Sequence, residues 1–451
     1  MRFANSKFTA DYPLYGANFI QSNAQKATLL VTGGGGEGKN GIPNMITSYR
    51  FTAQTGQFDK LQEIELPEDD DSPTAMDASI QTGVVLVGCN ENSEKVKSGK
   101  GNKHLRKYNM DLRLQLEPAE SIDLFHSSNP DEYTKVIQLS SDGKLGAVCS
   151  SKESEAIIKI IDAETLEERF EINDANKEVK DISFAANGKY FAYITPNSLE
   201  IISTVTGKSI TRLNQEFDAN KWNLSKMKFI DNNSLLIVAT KHDHADKKHS
   251  GIVLLKVSVR NGKAAITQSK LLTNKFKGIT AMDLHEENDV LALATSENSI
   301  LICKLSNFDI KGTFNQIHTF AVTKITISPN GKYVVSVSAA NTIHMIQIPI
   351  NFKHSMSNRK ENFQLWSSAV LLLVAIIFYK ISTDNKEYFK AKIAEKNIQL
   401  PEVLNNIIKG YMKMKDLNKP QQFREEINTQ ELFNQTTLVG NSTSSMGNST
   451  I

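Results

Sequence analysis

VKDISFAANGKYFAYIT, residues 179–195, followed directly by SLEIISTVTGKSI, residues 198–210, decides the fold. A β-branched run meets the turn Asn187-Gly188-Lys189, and a second apolar run leaves it. Asn-Gly is a strong hairpin former, and β-branched and aromatic residues suit a pleated, half-buried surface. The passage reads as three strands and the start of a fourth. Downstream the same plan returns as ITAMDLHEENDVLALATSENSILICKLS (279–306) and VTKITISPNGKYVVSVSAANTIHMIQI (322–348). The turns Asp142-Gly143-Lys144, Asn187-Gly188-Lys189, Asp231-Asn232-Asn233, Glu287-Asn288-Asp289 and Asn330-Gly331-Lys332 recur at intervals of 45, 44, 56 and 43 residues. A period near 40–45 with four strands per unit is the signature of a β-propeller. The long interval holds a polar insertion at 241–250, and no repeat ends in Trp-Asp, so these are degenerate WD repeats.

Counting back adds two less regular units, 15–66 and 72–124, which makes seven blades. The last unit lacks a fourth strand before Pro349. The N-terminal run 2–9 is expected to supply it and to remove the open sheet edge. The fold class is therefore all-β: a seven-bladed propeller over 1–352. A linker (353–362), one membrane-spanning helix (363–379) and a partly helical, partly disordered tail (380–451) are expected to follow.

Composition narrows the function. The 451 residues carry a net charge of +2, so no nucleic-acid partner is implied. Cys89, Cys149 and Cys303 each lie in an apolar strand-like run, which argues for buried thiols in a reducing compartment. The N-terminus has no apolar stretch of the kind that marks a cleavable signal peptide. No nucleophile–base pattern and no framed pair of carboxylates appears, which points away from hydrolytic or redox chemistry. His242, His244 and His249 sit among so many charges that a solvated loop is preferred over a metal site.

One loop stands out. GGGGEGKNGIPN, residues 33–44, hangs between two strand-like runs. Gly33, Gly38 and Lys39 fit the start of G-x-x-x-x-G-K. Asn40 then stands where that motif needs Ser or Thr, and Pro43 and a strand follow where it needs a helix. A phosphate cradle is set aside in favour of a backbone-rich binding loop. In a four-stranded blade the loop between the second and third strands shares a face with the connection to the next blade. The acidic turn 68–73, with Asp71 and Pro73, and the insert 90–103, with Lys95, Lys97, Lys100 and Lys103, are thus expected beside the glycine loop.

FQLWSSAVLLLVAIIFY, residues 363–379, carries no charge. It spans about 25 Å at about 1.5 Å per residue, which suits a thin bilayer such as that of the endoplasmic reticulum. Flanking lysines mildly oppose a cytosolic N-terminus. The late position of the span and three tail sequons, at Asn434, Asn441 and Asn448, favour a cytosolic propeller and a lumenal, glycosylated tail, a type II arrangement.

DYPLYGANFI (11–20), the loop 33–44, DDDSPTAMD (69–77), VLVGCNEN (85–92), GKGNKHLRKY (99–108), NSLEIISTVTG (197–207), NKFKGIT (274–280) and VSVSAANTIH (335–344) together resemble the fungal endoplasmic-reticulum exchange factors for the Sar-type small GTPase. The resemblance covers roughly residues 10–350 plus the single membrane anchor. It implies a guanine-nucleotide exchange factor that releases GDP, so starting coat assembly for vesicles bound for the Golgi, with cycling through the Golgi left open. It also implies a loop shaped around potassium that contacts the GTPase. Residue by residue, Gly41, Ile42, Pro43 and Asn44 become the engaging tip, with Asp71 and Pro73 in the adjacent turn. Gly33, Gly34, Gly35, Gly36, Glu37, Gly38 and Asn44 become the potassium loop, its individual ligands left open. A non-catalytic membrane-anchored scaffold of the same family is the alternative; the intact GGGGEG and GIPN favour activity. Replacement of Ile42 or Asn44 by Ala is expected to remove most exchange activity while changing stability by no more than about 0.5 kcal/mol.

Overall fold

A computed structural model of the chain describes residues 1–38, 40–174, 177–242, 250–354 and 371. Lys39, His244, His249, most of the linker, the span 363–379 apart from Leu371, the tail and its three sequons lie outside the described residues. Among those described, no helix is long and apolar enough to cross a membrane.

The repeat becomes seven four-stranded antiparallel sheets. After β1 (Asn5–Thr9), the first blade is β2 (Leu14–Ser22), β3 (Lys26–Gly33), β4 (Met45–Thr52) and β5 (Gln57–Glu65). The second is β6 (Ala75–Ala78), β7 (Val84–Gly88), β8 (Leu105–Met110) and β9 (Leu116–Ile122), with a short helix α1 (Ser93–Lys97) between β7 and β8. Four further blades follow: β10–β13 across 134–174, β14–β17 across 181–213, β18–β21 across 222–273 and β22–β25 across 279–314. The seventh joins β26 (Val322–Ile327), β27 (Tyr333–Ser338) and β28 (Thr342–Gln347) to β1, with Asn5 opposite Ile346 and Thr9 opposite Thr342. The expected closure by the N-terminal run is thus formed, and no blade of the ring is left with three strands.

The sequence pattern accounts for the packing. The middle strands β7, β23 and β27 are buried along their whole length, because each blade is covered on both faces by its neighbours. Tyr12, Leu29, Val31 and Phe51 of the first blade pack with Tyr333, Val335 and Met345 of the seventh across the seam. Each such side chain stabilises the ring by about 1.5–3 kcal/mol. The turns behave as their residues require: Gly143, Gly188 and Gly331 take φ of +69°, +65° and +64°, the left-handed region that glycine enters without steric penalty. The three cysteines are free and buried. Toward the axis, Asp77, Asp181 and Asp283 accept the backbone N–H of Leu139, Met227 and Ile327 in the next blade at 2.7, 2.9 and 2.6 Å. Each carboxylate therefore ties one blade to the next.

Candidate functional site: a braced loop on one face of the ring

The glycine loop leaves β3 at Gly33 and enters β4 at Met45, opposite each other in register. Gly33 cannot be replaced: a Cβ there would stand 1.8 Å from the carbonyl oxygen of Pro13. Gly36 turns with φ +80°, and a Cβ there would press on Ser72 and Asp71. The base of the loop is buried and its far half is exposed: Glu37, Gly38, Asn40, Gly41 and Ile42 face solvent.

Three side chains hold this backbone. Asn44, only 2% exposed, accepts from the Gly36 N–H at 3.0 Å and donates to the Asp70 carbonyl at 2.8 Å. Asn40 braces the tip from inside, donating to the Gly35 carbonyl at 2.8 Å and accepting from the Ile42 N–H at 3.0 Å. Glu37 reaches out of the loop. Its two carboxylate oxygens accept from the Ser93 N–H at 3.0 Å and the Ser93 hydroxyl at 2.8 Å.

The acidic turn sits where the blade plan places it. The Ser72 hydroxyl approaches the Gly34 carbonyl at 3.4 Å, and the Asp71 N–H donates to the Asn90 carbonyl at 3.0 Å. Asp70 is buried and paired with Arg106 of β8 at 2.6 Å. Burial pushes the Asp70 carboxyl above its ordinary value, more than Arg106 beside it pulls it down. The insert of blade 2 rests on a buried pair of amides: Asn102 donates to Asn90 at 3.1 Å, and Asn90 donates to the Glu132 carbonyl at 2.9 Å. Below them His104 bridges Thr134 and the N–H groups of Leu124 and Phe125. Since its Nε2 accepts two N–H bonds, its Nδ1 carries the proton, and burial lowers its pKa to about 4. Glycine loop, acidic turn and insert therefore converge, as the topology requires.

The surface-like stability change expected at Asn44 needs correction. Asn44 is not at the surface: both ends of its amide are engaged within the loop base, so it is a brace. Pro73 is likewise buried, and Asp71 is half-buried with its Oδ1 turned onto the Ser72 N–H. Ile42 does project, at 39% exposure. Arg106 and the Glu37–Ser93 tie were not singled out from the sequence. A lone arginine inside a strand gives no signal, and the partner of Glu37 lies 56 residues away.

The fit of a cation can be tested on the donor chemistry. Beneath the tip lies a hollow of about 300 Å³ lined by Gly36, Asn40, Gly41, Ile42, Pro43, Glu65 and Glu68. Its donors are oxygens alone, backbone, amide and carboxylate, a set that suits a hard cation rather than a transition metal. Glu37 is committed to Ser93 and the Asn40 amide to Gly35 and Ile42, which leaves loop carbonyls, Glu65 and Glu68 as the available oxygens. Among the described residues no group of three His, Cys, Asp or Glu could hold a metal.

The site is thus one long, braced, solvent-facing loop on a closed ring, with an apolar tip and charged side chains on either side. No protein-family model matches the chain. Over 377 residues it is 44% identical to the guanine nucleotide-exchange factor SEC12 of Candida glabrata, covering 83% of this chain and 78% of that protein. It is 33% identical to SED4 of the same yeast, over 90% of this chain and 38% of that protein. It is 32% identical to SED4 of Saccharomyces cerevisiae, over 76% of this chain and 31% of that protein. The chain belongs to the SEC12 family of guanine nucleotide-exchange factors.

Proposed function

We propose that this protein catalyses GDP release from a Sar-type small GTPase at the endoplasmic-reticulum membrane, and that the exposed tip at Gly41, Ile42 and Pro43 is the element that engages it. The observation that carries this reading is the braced loop: a backbone held by Asn40, Asn44 and Glu37 so that one apolar side chain projects from polar surroundings. Exchange requires an element that stabilises the nucleotide-free GTPase more than the nucleotide-bound one. A rigid tip serves this better than a floppy one, because less ordering entropy is lost on binding. Ile42 supplies apolar surface that is half-wet in the free protein and gains by burial.

Potassium is the cation we assign to the loop, where it would supply a fixed positive centre for converging carbonyl oxygens. The loop carbonyls, with Glu65 and Glu68, are the groups that would hold it. Residues 363–379 are read as the membrane anchor, with the propeller in the cytosol and Asn434, Asn441 and Asn448 glycosylated in the lumen. The direct test is release of fluorescent GDP from the Sar-type GTPase by the full-length protein in vesicles, in potassium and in sodium. Exchange that is slower in sodium and about thirtyfold weaker in Ile42→Ala is expected. An Ile42→Ala protein with full activity would overturn the assignment of the tip.

A further inference from the structure

We infer that Glu37 and Ser93 are positioning residues that splice the glycine loop to the lysine-bearing insert of blade 2, so that the GTPase meets both as one preformed surface. This rests on the exchange reading above and extends it from a loop to a composite footprint.

The geometry of the tie is specific. Ser93 is the first residue of α1, capped by Asn92, whose side chain accepts from the Lys95 N–H at 2.9 Å. The first N–H groups of a helix have no partner within it. Glu37 satisfies one of them and the Ser93 hydroxyl together, through both of its oxygens. Asn44 and Asn40 brace the base and the interior of the loop, but neither reaches the insert. Among the described residues, Glu37 is the side chain that joins the exposed half of the loop to α1. The opposite side of α1 is fixed by buried Val96 and by Glu91, which holds Lys95 and accepts from the Lys103 N–H at 2.9 Å. The insert is thus a firm mount, and the loop is clipped to it.

What the clip brings together is a surface of two signs. Around the hollow stand Glu65 and the exposed Glu68 and Asp69; across the tie stand exposed Lys97, Lys100 and Lys103. Lys95 is engaged by Glu91, whereas no hydrogen bond or ion pair holds the other three ammonium groups among the described residues. A partner presenting an acidic strip beside its nucleotide site would be steered and oriented by such a surface.

The test is a double-mutant cycle on the full-length protein in vesicles. Ser93→Pro removes both donors while keeping the helix, since proline is favoured at a first helical position and needs no N–H there. Glu37→Ala removes the acceptor. Each single change should raise KM for the GTPase by about threefold to tenfold, the range of coupled neighbours, with kcat and melting temperature held. The double change should be no worse than either single one. Ser93→Thr, which keeps both donors, should retain wild-type KM. Reversing Lys97, Lys100 and Lys103 to glutamate should raise KM at low salt and flatten its salt dependence. Additive single effects, or normal KM in both while Ile42→Ala still lowers exchange strongly, would overturn the inference. A second measurement needs no partner: amide hydrogen exchange of residues 34–42 should rise in Ser93→Pro, and that of 93–97 in Glu37→Ala. Unchanged protection in both would sink the tie whatever the GTPase does.

Discussion

Blades 1 and 4 share one plan and differ in one interval. Between the second and third strands, blade 4 makes a two-residue hairpin, Pro196-Asn197, closed by Thr195 opposite Ser198. Blade 1 spends residues 34–44 on the same connection. Blade 2 goes further, with residues 89–104 and a helix in between. The strands barely register the difference; all three blades pair and bury alike. What changes is where polar groups are fixed. In blade 4 the connection is held by the ladder and a threonine–serine contact at 2.5 Å. In blades 1 and 2 it is held by side chains far apart in sequence: Asn44 to Asp70, Asp70 to Arg106, Glu37 to Ser93. A propeller tolerates insertion at this face because the sheet is already satisfied, and the inserted backbone must then find its own partners.

The largest effect expected from this contrast is at Arg106. Its guanidinium is the buried partner of Asp70, and removing one member of such a pair leaves a charge without compensation. Arg106→Met should cost about 3–5 kcal/mol, measured as a loss of melting temperature, and should loosen the acidic turn and with it the Asn44 brace. Lys189→Met, in the exposed turn of blade 4, should stay within about 0.5 kcal/mol. If Arg106→Met melts like wild type, the blade 2 side of the site is not held by this pair.

Acid should act next, and unevenly. Burial lowers His104 of blade 2 to about 4, and His318 and His344 of blade 7 to about 4 and 3. An unfolded histidine titrates near about 6.5. Above that pH neither state is protonated and the stability is fully present. As pH falls from about 6.5 toward 4 the unfolded chain binds protons that the folded chain refuses, so stability declines. At about 1.4 kcal/mol per pH unit, the size is at most about 3 kcal/mol for His104 and His318 and about 5 kcal/mol for His344. Residues 181–213 of blade 4 contain no histidine. Amide exchange at pH 5 should therefore weaken in blades 2 and 7 before blade 4. Uniform loss of protection would show that the histidines are not what acid attacks.

This contrast also shows what could be read from the chain alone. Blade number, hairpin turns and the closing N-terminal strand were legible, because each rests on local pattern: Asn187-Gly188 announces its turn, and the β-branched runs announce theirs. The position of the glycine loop was legible too, since topology fixes which connections share a face. The roles inside it were not. Asn44 and Ile42 are two residues apart in one polar loop, and nothing local says that one is buried and the other projects. That is decided by the Asp70 carbonyl, 26 residues on.

Asn44 and Ile42 accordingly separate in experiment. Asn44→Ala leaves the Gly36 N–H and the Asp70 carbonyl without their partner in a buried setting, which should cost about 1–3 kcal/mol and lower exchange through the disordered loop. Ile42→Ala should leave the melting curve within about 0.5 kcal/mol. It should nonetheless lower kcat/KM by about thirtyfold, the loss expected of an interface hot spot worth about 2 kcal/mol. Equal stability losses in the two variants would mean that Ile42 is part of the loop's own packing.

The smallest effect is expected across the ring. Asn197 lies on the same face as the glycine loop, at the tip of the blade 4 hairpin, where its side-chain Oδ1 accepts from the exposed Lys177 at 2.5 Å. An exposed contact of this kind is worth little, because water competes for both groups. Pro196 should stay, since its carbonyl accepts from the Leu224 N–H of blade 5 at 2.7 Å. Asn197→Ala keeps that bond, keeps the hairpin register and shortens one half-buried side chain. It should therefore leave melting within about 0.5 kcal/mol and exchange at the wild-type rate. The measurement carries information in either direction. An unchanged rate confines the GTPase footprint to the blade 1 and blade 2 side of the face, where the inserted loops are tied down. A lowered rate with unchanged melting would mean that the partner reaches over the axis to blade 4, and that a two-residue hairpin there takes part in binding as the long loops do.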